Sequence, residues 1–442
     1  MSQVVETLAS ARATWASGDA QGSYRELSGL FACFPDLLEG SEDFCQAVEL
    51  LAELTKAFGA SSLAALVAQA ARTPDDVNTL FEAAYGLFEE RQFRPAATLL
   101  MRANRVRPGL KAVVNELATT LHELMLYRWS VPILDESGLC EREPLCAYLS
   151  CYSRLMSGQV EAARGRLAHL AGELEDPLPT MRENLVGMLA RADGVLSAGL
   201  ALGDLSLTAW QAVINGTLLL HESPAGYEDA MRGRYAYLGD GPSLVRAGLD
   251  RLCHVLPAIG YEPCRVVAAP GRQSEIVAAA TGLLLGLPCL AWEPGLEEEG
   301  LVVAWTLESV ESEEFLVALH THRPRARLFV HASCWTAPFG YSPDITTLLY
   351  QHIVDPWTGG GLRYNPETER LEEAPPDERD VMDLAAEIVA AVPDESQSSL
   401  DLVLKVARAL IAVPVAYRPG FCQTQGERLR QRAGGPVLSN HF

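Results

Sequence analysis

The chain has no stretch of about eighteen uninterrupted apolar residues, so none of it reads as a membrane-spanning helix. Its start, MSQVVETLASARATWASGD, also lacks the basic-then-apolar order of a secretion signal. The expectation is a soluble, cytoplasmic protein with no membrane partner. Positive charge is short: the formal net charge is −22, which opposes a sequence-independent grip on nucleic acid, because phosphate binding needs a basic surface to displace counterions. The longest basic cluster is RPRAR, Arg323 to Arg327. Cys-x-x-Cys pairs are missing, and ten cysteines are scattered through a long chain. That excludes a disulfide framework or zinc ribbon and leaves buried, reduced thiols as the expectation.

What is present is enough to fold throughout: 442 residues, 48% hydrophobic and 21% charged, exceed what one core covers, so two or three domains are expected. Up to about residue 245 apolar residues recur at three and four, the helical period, with turns at ASGDAQGS, CFPDLLEGSED, ARTPDD, RVRPGL, EREPL, LEDPLP and HESPAG. A step of about 34 residues carries the helix face Leu80, Ala84, Leu87 onto Val114, Ala118, Leu121 and then onto Tyr148, Tyr152, Leu155. Second helices follow suit, with Ala96, Leu100, Ala103 answered by Ser130, Leu134, Ser137 and by Ala163, Leu167, Leu170. Pro108 and Pro144 fall where a helix has ended and a missing amide donor costs little.

Residues 77 to 172 thereby resemble the tetratricopeptide repeat family, the best unit being VNTLFEAAYGLFEERQFRPAATLLMRANRVRP. Leu80 and Val114 stand at that family's aromatic position, and Tyr152 stands where a small residue is usual. The resemblance implies an all-α helical-repeat domain over residues 1–240 that binds a protein or peptide partner and holds no chemistry of its own.

After GDGPSL the pattern changes to strands alternating with helices: CRVVAAP, SEIVAAATGLLLG, LPCLAWE, LVVAWTL, SEEFLVALHTH and RLFVHASCW. This predicts an α/β domain over 245–442 with a mostly parallel sheet. Two helices, ERDVMDLAAEIVAAV and SSLDLVLKVARALIAV, and an irregular tail close it. Ligands of such sheets sit at strand carboxyl ends, which draws attention to the turn APGRQSE. Gly271 allows a tight turn, Arg272 supplies charge, Ser274 opens a helix whose positive end favours an anion, and Glu293 stands roughly 20 residues on, where dinucleotide folds keep an acid. One glycine stands where the dinucleotide fingerprint has three, and no Gly-Lys-Ser follows, so a plain strand-to-helix connection competes with a phosphate site.

RVVAAPGRQSEIVAAATGLLLGLPCLAW also resembles the opening strand, loop and helix of phosphoribosyltransferases. That resemblance implies a nucleotide or phosphorylated small molecule as ligand. The later strand, RLFVHASCWTAPFGYS, has neither the paired acids nor the Thr/Gly-rich loop of that family, which implies a catalytically silent relative. The same segment holds candidate catalytic residues: His331, Ser333, Cys334 and Asp344, with Tyr341 nearby. Cys334 and His331 would suit a nucleophile and base, but strand alternation puts them on opposite faces. His320 and His322, two apart, cannot share an ion as an i, i+4 pair does, so no metal and no cofactor are expected. GLEEEG and RLEEAPPDERD read as solvated. The reading is a regulatory or protein-interaction protein with a silent or ligand-sensing α/β domain; the alternative is an active transferase or hydrolase using the loops after Pro270 and His331.

Overall fold

The structure is a computed structural model and describes residues 3–31, 34–173, 179–203, 206–224, 231–359, 361–365, 368, 370–394, 399–431 and 435–437. It divides into two compact units, Met1–Arg182 and Glu183–Phe442. The change of sequence pattern near 240–245 is therefore not the division between units: helical residues from 183 onward, and two strands before 245, belong with the sheet. No helix among the described residues is long and apolar enough to cross a membrane.

The first unit contains α1 (Gln3–Ala16), α2 (Ala20–Leu30), α3 (Phe34–Glu39), α4 (Ser41–Ala57), α5 (Ser61–Arg72), α6 (Val77–Glu89), α7 (Phe93–Val106), α8 (Lys111–Glu123), α9 (Tyr127–Glu136), α10 (Pro144–Met156) and α11 (Val160–Glu173). Starts are set locally. Asp19 and Asp76 accept the Gly22 and Asn78 amides as N-caps, and Pro144 occupies the first turn of α10, where its missing donor is not needed. Consecutive helices pack as neighbours, α4 on α5 and α6 on α7 most extensively. The faces marked by the 34-residue step are the buried ones. Leu80, Ala84, Leu87, Val114, Ala118, Leu121, Ala96, Leu100 and Ala103 are fully buried, each leucine contributing about 1.5–3 kcal/mol by leaving water. Tyr148, Tyr152, Leu155, Ser130, Leu134 and Ala163 are buried too, whereas Ser137 and Leu167 are half-buried. The Leu170 side chain and most of the LEDPLP turn lie outside the described residues.

In the second unit α12 (Pro179–Ser197) and α13 (Leu207–Asn215) precede a parallel sheet of β1 (Leu218–Leu219), β2 (Tyr235–Gly239), β3 (Val266–Ala268), β4 (Cys289–Ala291), β5 (Glu299–Ala304), β6 (Arg325–Cys334) and β7 (Ile345–Val354). The order is β1-β7-β6-β5-β3-β4, with β2 also on β7. β1 pairs with Ile345 and Thr346, and β2 pairs from Tyr350 to Val354, so the two share one edge of β7 in succession. Helices α14 (Pro242–Ala258), α15 (Arg272–Leu285), α16 (Glu313–Ala318), α17 (Val381–Ala390) and α18 (Leu400–Ile411) complete the unit, with an antiparallel hairpin β8 (Leu362–Asn365) and β9 (Arg370–Glu373).

Val267, Ala269, Val302, Ala304, Leu328 and Val330 pack with Phe315 and Leu319 on one side of the sheet. Their alternates Val266, Leu301, Val303 and Phe329 are also fully buried, so both faces are covered, as a parallel sheet requires. Strand β3 is followed by β4 on one side and β5 on the other, which makes the β3/β5 crevice the point where strand order reverses. The GLEEEG segment is not wholly solvated: Glu297 is buried and accepts hydrogen bonds from Trp292 Nε1 and the Gly295 amide. Arg370 to Glu373, in contrast, are exposed.

Candidate functional site

The turn after β3 stands at the β3/β5 reversal, and its own chain occupies it. Gly271 has φ 115°, a backbone angle that glycine adopts without strain, and α15 starts at the next residue. Arg272 donates from Nη2 to the carbonyl oxygens of Asp377 (2.7 Å) and Arg379 (2.6 Å), anchoring the segment that leads into α17. Ser274 is buried inside the first turn of α15, and its Oγ accepts the Trp305 amide at 3.1 Å, stitching α15 to the end of β5. Glu293 is exposed beyond the short edge strand β4. Of the four residues expected to hold a phosphate, Gly271, Arg272 and Ser274 thus serve a strand-to-helix connection, with Arg272 Nη2 donating to two carbonyls and the Ser274 hydroxyl accepting an amide, while Glu293 stands apart on the surface.

A cavity of about 400 Å³ opens beside this turn at the carboxyl ends of β5 and β7, lined by Trp305, Thr306, Glu308, Tyr350 and Asp355 among others. Its charged side chains are acidic. Partial desolvation raises the carboxyl of Glu308, a residue that is exposed overall, against the pull of Arg430, and the Tyr350 hydroxyl lies 3.4 Å from Glu308 Oε2. Asp355 is engaged with the Trp357 and Thr358 amides. Two carboxyls facing a cavity repel an anion, so this rim does not suit a phosphate.

The candidate catalytic residues go to separate places. His331 is fully buried, with Nε2 3.2 Å from Asp240 Oδ2, an oxygen that also accepts Trp305 Nε1 at 2.7 Å. Ser333 shares a 3.0 Å hydrogen bond with Thr346. Cys334 accepts the Ala337 amide and lies beside Thr336, so no thiol–imidazole pair forms with His331. Asp344 is at the other end of the sheet, directly before β7. It is fully buried, and its Oδ2 accepts the Leu328 amide (2.7 Å) and Arg428 Nη2 (2.9 Å), while Oδ1 stands 3.3 Å from His322 Nδ1. Burial alone would raise this carboxyl; the Arg428 guanidinium and His322 outweigh it and hold the group well below the usual carboxylate range.

Around that ion pair lies a larger cavity, about 570 Å³, lined by α12, the residues before β1 and β7, and residues 416–431. The closing segment is therefore not merely an irregular tail: Arg428 and Phe421 are buried, and Arg428 Nη1 donates to the Thr321 carbonyl at 2.9 Å. Arg191, on α12, donates from Nε to Val213 O at 2.7 Å and from Nη2 to Ile214 O at 3.4 Å, meeting the carbonyls at the end of α13. Burial lowers its pKa to about 10, which leaves it charged at neutral pH. Sequence reasoning missed Arg191, His322 as a partner, and Arg428. Their one sequence signal is an acid directly before a β-branched run, PDITTLL, with no hint of the cation that meets it.

Among the described residues no three His, Cys, Asp or Glu side chains converge as a metal site would require. Every described cysteine is a free thiol. Cys140, Cys146, Cys151 and Cys334 are buried as expected, but Cys264 and Cys289 are exposed. Compared with known proteins, the chain matches no family model, and no curated sequence matches it significantly.

Proposed function

We propose that this protein acts by interaction and regulation and not by catalysis: a tetratricopeptide-like helical unit binds a protein or peptide partner, and a phosphoribosyltransferase-like α/β unit binds a nucleotide or phosphorylated metabolite without converting it. The observation that carries the silent reading is the turn after β3, where Arg272 and Ser274 are spent on Asp377, Arg379 and Trp305. An enzyme of the alternative class needs groups converging on one reacting atom. Here His331, Ser333, Cys334 and Asp344 have separate partners. On the helical unit, Tyr85 is exposed and stacks on Phe81 along α6, an aromatic surface of the kind that anchors peptides.

Incubation of the full chain with phosphoribosyl pyrophosphate, nucleotides and magnesium, with products resolved by chromatography, tests the silent reading. No turnover is expected. Turnover lost on Arg272→Ala would establish the transferase or hydrolase alternative. For the interaction half, quantitative mass spectrometry of proteins co-purifying with the wild type and with Tyr85→Glu should show one partner depleted in the variant; identical recoveries would remove α6 from the contact.

A further inference from the structure

From the cavity at the amino-terminal edge of the sheet we infer a binding site for a small phosphorylated, polyhydroxylated metabolite, held by Arg428 and Ser342 on its wall. The inference rests on the ligand-binding half of the function proposed above, and it moves the site from the carboxyl edge, where parallel sheets generally bind, to the opposite edge. At about 570 Å³ the cavity matches small-molecule sites in size. Its wall is polar: Asn184, Arg191, Asn215, His322, Ser342 and Arg428 all face it.

Two of these side chains have hydrogen-bonding capacity that the protein does not use. Arg428 is 3% exposed and spends its Nη groups on carbonyls and Asp344, yet its Nε has no hydrogen-bond partner; Ser342 is 4% exposed, and its Oγ has none either. A buried donor left unmade costs free energy, so native interiors leave few of them, and a bound group is one way to satisfy them. Both unmet atoms can donate a hydrogen bond, which selects an oxygen acceptor. Charge selects an anionic one: the buried Arg428 is neutralised by Asp344, while Arg191, on the same lining, meets backbone carbonyls and, among the described residues, no carboxylate. Glu183 and Glu427, also on the lining, are exposed, so solvent screens them more than it screens the wall. The amide side chains Asn184 and Asn215 both donate and accept, as hydroxyl groups of a sugar require. The described lining has no Phe or Trp, and its rings are those of Tyr417 and of His322, the latter held beside Asp344, which favours a sugar phosphate over a stacked base.

Isothermal titration of the full chain with ribose 5-phosphate, inorganic phosphate and ribose tests this, alongside Ser342→Ala, Asn184→Trp and Arg272→Ala. Ser342→Ala removes one unmet group. Asn184→Trp fills the cavity from a half-buried position and leaves the Arg428–Asp344 pair intact, so it serves even if the first variant folds poorly. Ribose 5-phosphate should bind, inorganic phosphate more weakly and ribose not measurably. Each of the two cavity variants should raise Kd by roughly tenfold or more, the scale of one hydrogen bond to a charged group, while Arg272→Ala leaves Kd unchanged. Binding that Arg272→Ala abolishes, or that neither cavity variant weakens, overturns this site and leaves the ligand-binding reading standing. Failure of ribose 5-phosphate to bind wild type overturns this site, and failure of nucleotides titrated in the same way overturns the ligand-binding reading as well.

Discussion

Acidification from pH 7 to pH 5 should loosen the β1/β7 edge of the sheet, and His221 should be the cause. His221 follows β1, donates its amide to Thr347 O, and is 2% exposed. Its ring stacks on Tyr235 at 5.8 Å, with Nε2 2.6 Å from the Tyr235 hydroxyl. Burial lowers its pKa from 6.5 to about 4, and the nearby Arg251 and His331 push the same way. The fold therefore prefers the neutral ring. That preference contributes stability fully above the unfolded pKa near 6.5 and is lost as pH falls toward the folded value. With those two pKa values linkage gives a loss of about 2 kcal/mol by pH 5 and about 3 kcal/mol by pH 4. Asp344 does not act in this window, because a carboxyl held below its usual range loses its contribution only at lower pH. Glu308 acts in the opposite sense: its raised pKa favours the fold as pH drops. It is unchanged in a His221→Gln variant, so the comparison cancels it. The assay is amide hydrogen exchange of peptides spanning 210–224 and 345–354, in wild type and His221→Gln, at pH 7 and pH 5, with intrinsic rates divided out. Gln should cost stability at pH 7 by losing the stacked ring, and wild type should lose most of that advantage by pH 5. An identical wild-type-minus-variant difference at both pH values would refute the argument.

Three further substitutions follow from burial and backbone geometry. Leu87→Ala empties a fully buried position in the first unit and should cost about 2–5 kcal/mol, read as a lower denaturation midpoint with an unchanged slope. Asp380→Ala removes the side chain that accepts the Met382 amide at the start of α17; a loss of about 1 kcal/mol should appear as faster exchange in 381–390 alone. Gly216→Ala should destabilise by about 1–3 kcal/mol, since φ is 66° and the added carbon would stand 2.7 Å from the Gly420 nitrogen; a thermal midpoint equal to wild type would contradict that geometry.

The strands that sequence made legible are those whose neighbours in the sheet come from nearby in the chain. β3, β5 and β6 are apolar runs separated by helices or loops, and burial on both faces forces that composition, while β4, an exposed edge strand, is marked by its place after α15. β7, ITTLLYQHIV, carries the same β-branched signal and went unread because the chain reaches it from β6 through ten irregular residues with no helix between. β1 and β2, two and five residues long, are too short to show any period; their extended backbone comes from pairing along β7. The helical unit was easier, since a 3.6-residue period is local and its buried faces repeat. The candidate site divides along the same line. Residue type singled out Asp344 as a catalytic candidate and grouped it with the strand end after β6, whereas it lies directly before β7, paired with Arg428. Its partner Arg428 lies 84 residues away in sequence, in a basic stretch indistinguishable from a solvated tail. A buried ion pair can be read from sequence only when one local element supplies both charges. Here the sheet edge supplies the acid and the closing segment the base, so the pair exists only once the segment has folded back. Desolvating either charge alone is costly, so the closing segment and the amino edge of the sheet should order together. The segment that closes the chain therefore also forms much of the wall of the larger cavity.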